Sequence, residues 1–412
     1  MTGDKGIAAR LFFGWLIGLM LAVLAFSQAA ASVGLAIEGF RPLGAGFFSW
    51  RSGQTRTAVG IFDSRDKNKA KAAIKAGRSH LVLAPLTPRS LWLVGKGQEI
   101  NGKLPEARRA MEQAGKISRR DGAVQLWLGI DKIRSGAIAP GLRNFDLLIR
   151  SDRDAGSTIM PRLALVVLAP QAHQYLRPYI NDKNPWLAEF LQVAATDLPR
   201  AAPLATLLVE RGKMAPDVEH ARSAYTILMG RLIRERSYPV AMRLYPLLPG
   251  ANPKNLRDIA AIGNGQAGDG YPPFVWSFAE NNPYGGEVIA AEDGGTGFEV
   301  FGSPSTVGVA AEKLIAPGRA TRLQWRIDDR STNLQGSAKW GVTCLAGKSA
   351  GTARASINLL DESVTLKRDM VMDLPADCDL LKIDMRIAGG IGRDQARVVV
   401  SGLKLVSSAA PR

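Results

Sequence analysis

The chain has 412 residues and a formal net charge of +16, from 53 Lys and Arg against 37 Asp and Glu. Apolar residues make up 46% and charged residues 22%, which excludes disorder as a description of the whole chain. Two cysteines argue against a disulfide-rich scaffold or an all-cysteine zinc site, three histidines argue against a multi-histidine metal centre, and no cofactor is expected.

In chain order, residues 1–10 read as a short cytoplasmic start. Residues 11–31 follow as an uncharged segment containing Leu11-Phe12-Phe13-Gly14-Trp15-Leu16, with Lys5 and Arg10 before it and small residues after it. Such a pattern is an export signal with two fates. Left uncleaved, it is long enough to span a bilayer of about 30 Å with the N-terminus inside. Cleaved near Ala31, it releases a soluble periplasmic or secreted chain. The first fate is the expectation: a single-pass inner-membrane protein with most of the chain periplasmic and a juxtamembrane stretch over 32–66. Residues 1–270 hold 37 Lys and Arg against 21 Asp and Glu, whereas the remainder is balanced at 16 of each. A basic surface outside the cytoplasm suits anionic lipid headgroups or acidic polysaccharide, and nucleic acid is not expected as a partner.

Residues 67–262 have the texture of paired amphipathic helices. Lys67, Lys69, Lys71, Lys75 and Arg78 open this region as a basic cluster, read either as contact with an anionic surface or as a solvated helix face. Leu91-Trp92-Leu93 is echoed by Leu126-Trp127-Leu128, Gly102 by Gly136, Ala107 by Gly141 and Met111 by Phe145. This period of about 34 residues, with a turn glycine and a small residue in the second helix, resembles tetratricopeptide (TPR) repeats. Leu104 and Ile138 stand where that family has an aromatic residue. Further hairpins are expected around 156–180, 185–212 and 218–249. The resemblance implies an alpha-solenoid that docks protein partners, here proteins of a bacterial envelope.

Residues 263–271 read as a glycine-rich linker, and residues 272–408 as a second domain of short alternating strands. Leu323, Trp325 and Ile327 share one face, as do Trp340, Val342 and Cys344, and Leu381, Ile383, Met385 and Ile387. Gly402 marks an expected bulge. The pattern predicts an antiparallel sandwich, jelly-roll-like. The opening strand Phe274-Val275-Trp276-Ser277-Phe278, the run Leu314-Ile315-Ala316-Pro317-Gly318-Arg319 and the Val-rich final strand resemble the galactose-binding-like sandwich of carbohydrate-binding modules. That resemblance implies glycan as a ligand class. Cys344 and Cys378 are expected to form a disulfide in an oxidising compartment. Trp276 and Tyr284 are the candidate sugar contacts, while Trp325 and Trp340 are expected in the core.

Apparent catalytic motifs fail on context. Gly97–Lys103 matches the start of a phosphate-binding loop, but Leu104 replaces the hydroxyl residue that would hold magnesium. Gly263–Gly268 lacks the strand and helix that a dinucleotide fingerprint needs. Gly347-Lys348-Ser349-Ala350-Gly351 has no histidine after it and reads as a hairpin loop. Asp328-Asp329 and Asp361-Glu362 are the carboxylate doublets that a polysaccharide-acting enzyme would draw on. The expectation is a non-catalytic, membrane-anchored envelope scaffold or adaptor of bacterial type, with helical repeats for protein partners and a sandwich for glycan, in exopolysaccharide or envelope assembly. The alternatives are a polysaccharide-acting enzyme and a purely structural interaction module.

Overall fold

The computed structural model describes residues 61 and 65–407, apart from 84, 153, 262–269, 282, 292–294, 332–334 and 391–394. The segment 11–31 lies outside the described residues. Among the described residues no helix is long and apolar enough to cross a membrane. The inner-membrane placement expected from the sequence is corrected on that finding and is not carried forward.

The chain divides into two compact units, one up to Gly156 and one from Ser157 onward. In the first, helices α1 (Lys67–Leu83), α2 (Pro88–Ile100), α3 (Leu104–Ile117), α4 (Gly122–Arg134) and α5 (Ile138–Ser151) follow one another. Their core holds Trp92, Leu93, Met111, Trp127 and Leu128. The sequence echo has a geometric cause. A Cβ on Gly95 would lie 3.0 Å from the Met111 side chain, and one on Gly129 would lie 2.5 Å from the Phe145 ring. In both hairpins a glycine on the first helix admits the large side chain of the second. Arg108 ties the hairpins together through a two-pronged bond to Asp131, at 2.7 and 2.9 Å.

The second unit begins around α6 (Ala155–Val166) and continues through the single-turn α7 (His173–Leu176), α8 (Leu187–Asp197), α9 (Ala202–Glu210), α10 (Ala221–Arg234) and α11 (Tyr238–Leu244). Pro170 and Pro178 open the 3-10 turns on either side of α7, because proline fixes φ and lacks an N–H. Residues 156–180 therefore form one full helix, then the single-turn α7 between two 3-10 turns, rather than a pair of full helices. The helical region fits helical repeats only loosely.

The α10–α11 hairpin keeps the same turn as the first unit. The N–H groups of Asn101, Gly102 and Lys103 bond back to Gly97, Glu99 and Gln98, and those of Glu235, Arg236 and Ser237 bond to Arg231, Ile233 and Leu232. Gly102 and Gly136 sit at φ 78° and 82°, but Arg236 is forced to φ 57° at the equivalent place. Replacing Arg236 by Gly is expected to stabilise the second unit by about 0.5–1 kcal/mol, read as a higher denaturation midpoint.

The strands form two antiparallel sheets, with order β1-β5-β10-β7-β8 in the first and β2-β3-β4-β11-β6-β9 in the second. Their ranges are β1 (Ser277–Phe278), β2 (Glu280–Asn281), β3 (Tyr284–Ala290), β4 (Thr296–Gly302), β5 (Val307–Ile315), β6 (Arg322–Arg330), β7 (Ser337–Gly347), β8 (Ala353–Ala355), β9 (Asp369–Asp373), β10 (Cys378–Ala388) and β11 (Ala396–Val406). The inner faces meet in a core of Phe298, Trp325, Trp340, Ile383, Met385 and Val400. Gly402 takes φ 63° where the β11–β6 register shifts, as an unpaired extra residue requires.

The helical part of this unit and the sandwich are joined by buried polar contacts. Arg222 donates to Gly270 O at 2.9 Å and lies over the Tyr271 ring. Trp276 donates to Ile259 O at 2.9 Å, and Ala316 N–H donates to Leu256 O at 2.7 Å. Lys313 shares the inward phase of β5 with Ala311 and Ile315 and is fully buried. Its Nζ donates to Asp258 O at 2.6 Å and to Ala261 O at 2.8 Å. Most of the linker read at 263–271 lies outside the described residues, while Gly270 and Tyr271 are buried.

Candidate functional site

Both outer faces carry ion pairs, and on the five-stranded sheet Lys382 meets Glu312 at 2.6 Å. On the six-stranded sheet the polar groups pair with one another. Arg322 meets Asp373, Gln324 meets Asp369, Arg326 meets Asp328 and Ser401, and Arg397 meets Glu299 and Asp329. The Asp328-Asp329 doublet is absorbed in this network, and Arg397 holds the Asp329 carboxyl below its ordinary range. Asp361 is likewise lowered, by the Ser363 hydroxyl and N–H. A glycosidase acid needs the opposite, a carboxyl raised so that it keeps its proton.

The five-stranded sheet carries a cleft of about 450 Å³ on its outer face. Alternation sends Ser337, Lys339, Gly341 and Thr343 of β7 outward, because Ala338, Trp340 and Val342 fill the core. Opposite them on β10, Arg386 pairs in register with Lys339, and Asp384 with Gly341. Val307, Ala353, Ala355 and Ala388 supply apolar lining, and Arg354 of β8 borders the cleft. Among the described residues no carboxylate lines it.

The floor is built for one purpose-bearing contact. Asp384 is only 1% exposed although it lies on the outward phase of β10. The missing side chain at Gly341 makes this burial feasible, since a Cβ there would fall 2.5 Å from Asp384 Oδ1. The Arg386 Nε–H donates to that same oxygen at 3.0 Å, and the Arg386 side chain remains 66% exposed. A carboxylate sunk in the sheet thus grips one edge of a guanidinium whose remaining N–H groups stay accessible. Lys339 is exposed beside it with no ion-pair partner among the described residues.

Arg354 also borders a second cleft, of about 740 Å³, at the disulfide end of the sandwich. Arg319 and Lys348 are balanced there by Asp373, Asp377 and Asp379. Cys344 and Cys378 are bonded at 2.08 Å, as the sequence led one to expect, and join β7 to β10. The bond is compatible with an extracellular or periplasmic compartment.

The other sequence candidates fall elsewhere. Trp276 is 3% exposed, packed against Phe298 and Trp340, with its N–H satisfied by Ile259. It is corrected from sugar contact to core residue, because no ring face is open. Tyr284 is half-buried, its ring lying over Gly308, where a Cβ would sit 2.2 Å from the Tyr284 ring carbon Cζ. Lys67, Lys69, Lys71, Lys75 and Arg78 are all exposed on α1. All but Lys69 follow one helical stripe, by their spacing of four, four and three residues. His173 is buried, with ring nitrogens facing Val167 O at 2.9 Å and the Glu210 carboxylate at 3.2 Å, a structural anchor. Among the described residues no cluster of His, Cys, Asp or Glu is arranged to hold a metal.

Sequence reading missed Lys339, Asp384 and Arg386. The signal was present in the β10 alternation, which leaves Lys382, Asp384 and Arg386 on the outward phase. What alternation does not reveal is that Gly341 lies opposite Asp384.

No protein-family model matches the chain, and no curated protein matches it. Among solved structures, TmCBM61 in complex with beta-1,4-galactotriose is similar at 10% identity and TM-score 0.23, covering 32% of this chain and 88% of that one. The cleaved adhesin domain of Lys-gingipain from Porphyromonas gingivalis W83 is similar at 12% identity and TM-score 0.22, covering 32% and 91%. The enzymatically active domain of tailspike protein 4 of bacteriophage CBA120 is similar at 14% identity and TM-score 0.21, covering 31% and 18%. The two-sheet sandwich itself is read from the strand order and register given above.

Proposed function

We propose that this chain is a non-catalytic binding protein whose sandwich holds a saccharide on the outer face of its five-stranded sheet, while its helical hairpins dock a protein partner. The carrying observation is the cleft itself. It gathers the hydroxyls of Ser337 and Thr343, the Lys339 ammonium and the Arg386 guanidinium around about 450 Å³, a size that suits a few sugar units, and the Lys382–Glu312 ion pair of the same sheet lies outside its lining. Hydroxyl-rich ligands are recognised by such convergent donors over a partly apolar lining, here Val307 and the alanines. Assembly of an extracytoplasmic polysaccharide is the setting that this combination of parts suits.

The test is equilibrium binding of the full chain to a panel of bacterial surface polysaccharides, with Thr343→Trp as the cleft-filling variant. Saturable binding by the parent, at least about ten-fold weaker in Thr343→Trp at an unchanged melting temperature, is expected. Equal binding by both proteins would place the ligand elsewhere and defeat the reading.

A further inference from the structure

Resting on that saccharide reading, we infer that the cleft selects an acidic sugar, with Arg386 and Lys339 as the receptor for its anionic group and Asp384 as the residue that positions Arg386. The shared chemistry is a planar or tetrahedral oxyanion carried on a pyranose, either a uronate carboxylate or a sulfate ester.

Three observations carry this. Arg386 and Lys339 are register partners on adjacent strands, so their head groups rise from neighbouring backbone positions on one face. Two like charges side by side repel each other, and an anion between them removes that cost. Asp384 holds only the Nε–H of Arg386, at 3.0 Å, which leaves the two terminal nitrogens of the guanidinium for a second, two-pronged oxyanion contact. The carboxylate itself is 1% exposed, lies over the side-chain-free Gly341 and is not among the residues that line the cleft. A buried acid that fixes the angle of an exposed arginine is a preorganised receptor, since its rotamer freedom is spent before the ligand arrives. The cleft at the disulfide end lacks this property, because Asp373, Asp377 and Asp379 line it.

The full chain would be titrated by calorimetry with three oligosaccharides of matched length: oligogalacturonate, a carrageenan oligosaccharide and neutral β-1,4-galactan. The variants are Lys339→Gln, Arg386→Gln and Asp384→Asn, each checked by its thermal unfolding. An acidic probe is expected to bind at least about ten-fold more tightly than galactan, and to weaken about ten-fold in Lys339→Gln. Because Arg386→Gln leaves the buried Asp384 carboxylate without its partner, Lys339→Gln, at an exposed position, is the deciding variant. Whichever acidic probe binds assigns carboxylate or sulfate. Asp384→Asn should weaken the acidic probe while leaving galactan unchanged, which a merely destabilising change would not do. Galactan binding as tightly as both acidic probes would overturn the inference and leave the saccharide reading standing. Acidic-probe affinity unchanged in Lys339→Gln and Arg386→Gln would overturn it as well. Failure of all three probes to bind would overturn the inference, while the polysaccharide panel and Thr343→Trp decide the saccharide reading separately.

Discussion

Reducing the Cys344–Cys378 bond, or replacing both residues by alanine, is expected to lower the unfolding free energy of the second unit by about 4 kcal/mol. The bond closes a sequence separation of 34 residues, so its loss returns the entropy of that loop to the unfolded chain. The native state loses little to offset this, because both cysteines are buried at the junction of β7 and β10. The bond also sits where the β10–β7 register shifts, between Cys378 and Leu381, so it pins a ladder whose hydrogen bonds are locally irregular. Guanidinium unfolding followed by tryptophan fluorescence, with and without reductant, measures the difference directly. Trp276, Trp325 and Trp340 report from the same core. A midpoint that does not move under full reduction would show that packing alone fixes the register.

The second large effect centres on Lys313. Burial pushes its ammonium down to about 7, opposed only by the charge of Asp258. Its two hydrogen bonds go to carbonyls, and a neutral amine still has two N–H groups to give them. Folding therefore favours the neutral form. The unfolded chain keeps the proton up to about pH 10.4, so between about 7 and 10 it binds more protons than the folded chain. Stability contributed by this residue rises with pH through that window, by up to about 1.4 kcal/mol per unit, and is flat below it. The check is the difference in unfolding free energy between the parent and Lys313→Met from pH 6 to pH 10. The parent should gain on the variant as pH rises. At any pH the variant leaves the carbonyls of Asp258 and Ala261 without their donor, at a cost of about 1–3 kcal/mol each where no water replaces it. A difference that is independent of pH would contradict the neutral-amine account.

Much of the fold was legible because it repeats at the period of its own secondary structure. Leu381, Ile383, Met385 and Ile387 announce a strand face by alternation alone, and all four are buried. The Trp92 and Trp127 echo with Gly102 and Gly136 was legible because a left-handed turn selects glycine. The third copy of that turn was obscured by Arg236, which tolerates the conformation without advertising it. Trp276 misled for a different reason. An aromatic near the start of a domain looks like an edge residue, and only the fold shows that Ile259 lies against it and accepts its N–H. Lys313 carried a faint sign, a lysine on the inward phase between Ala311 and Ile315. Asp384 carried none, because its burial depends on a glycine on another strand, more than 40 positions away in sequence.

The seam between the helices and the sandwich of the second unit bears on how such a protein can change over generations. Leu256, Ile259 and Gly270 present backbone carbonyls that Ala316, Trp276 and Arg222 use as acceptors. Backbone groups are indifferent to side-chain substitution, so the join tolerates drift in residues 253–261 far better than a side-chain lock would. It does not tolerate being cut. A recombination event that moved the sandwich alone would strip the Trp276 indole N–H and the Lys313 side chain of their acceptors together. Inheritance of the sandwich with its preceding helices, from about Ser157, keeps every one of these donors supplied.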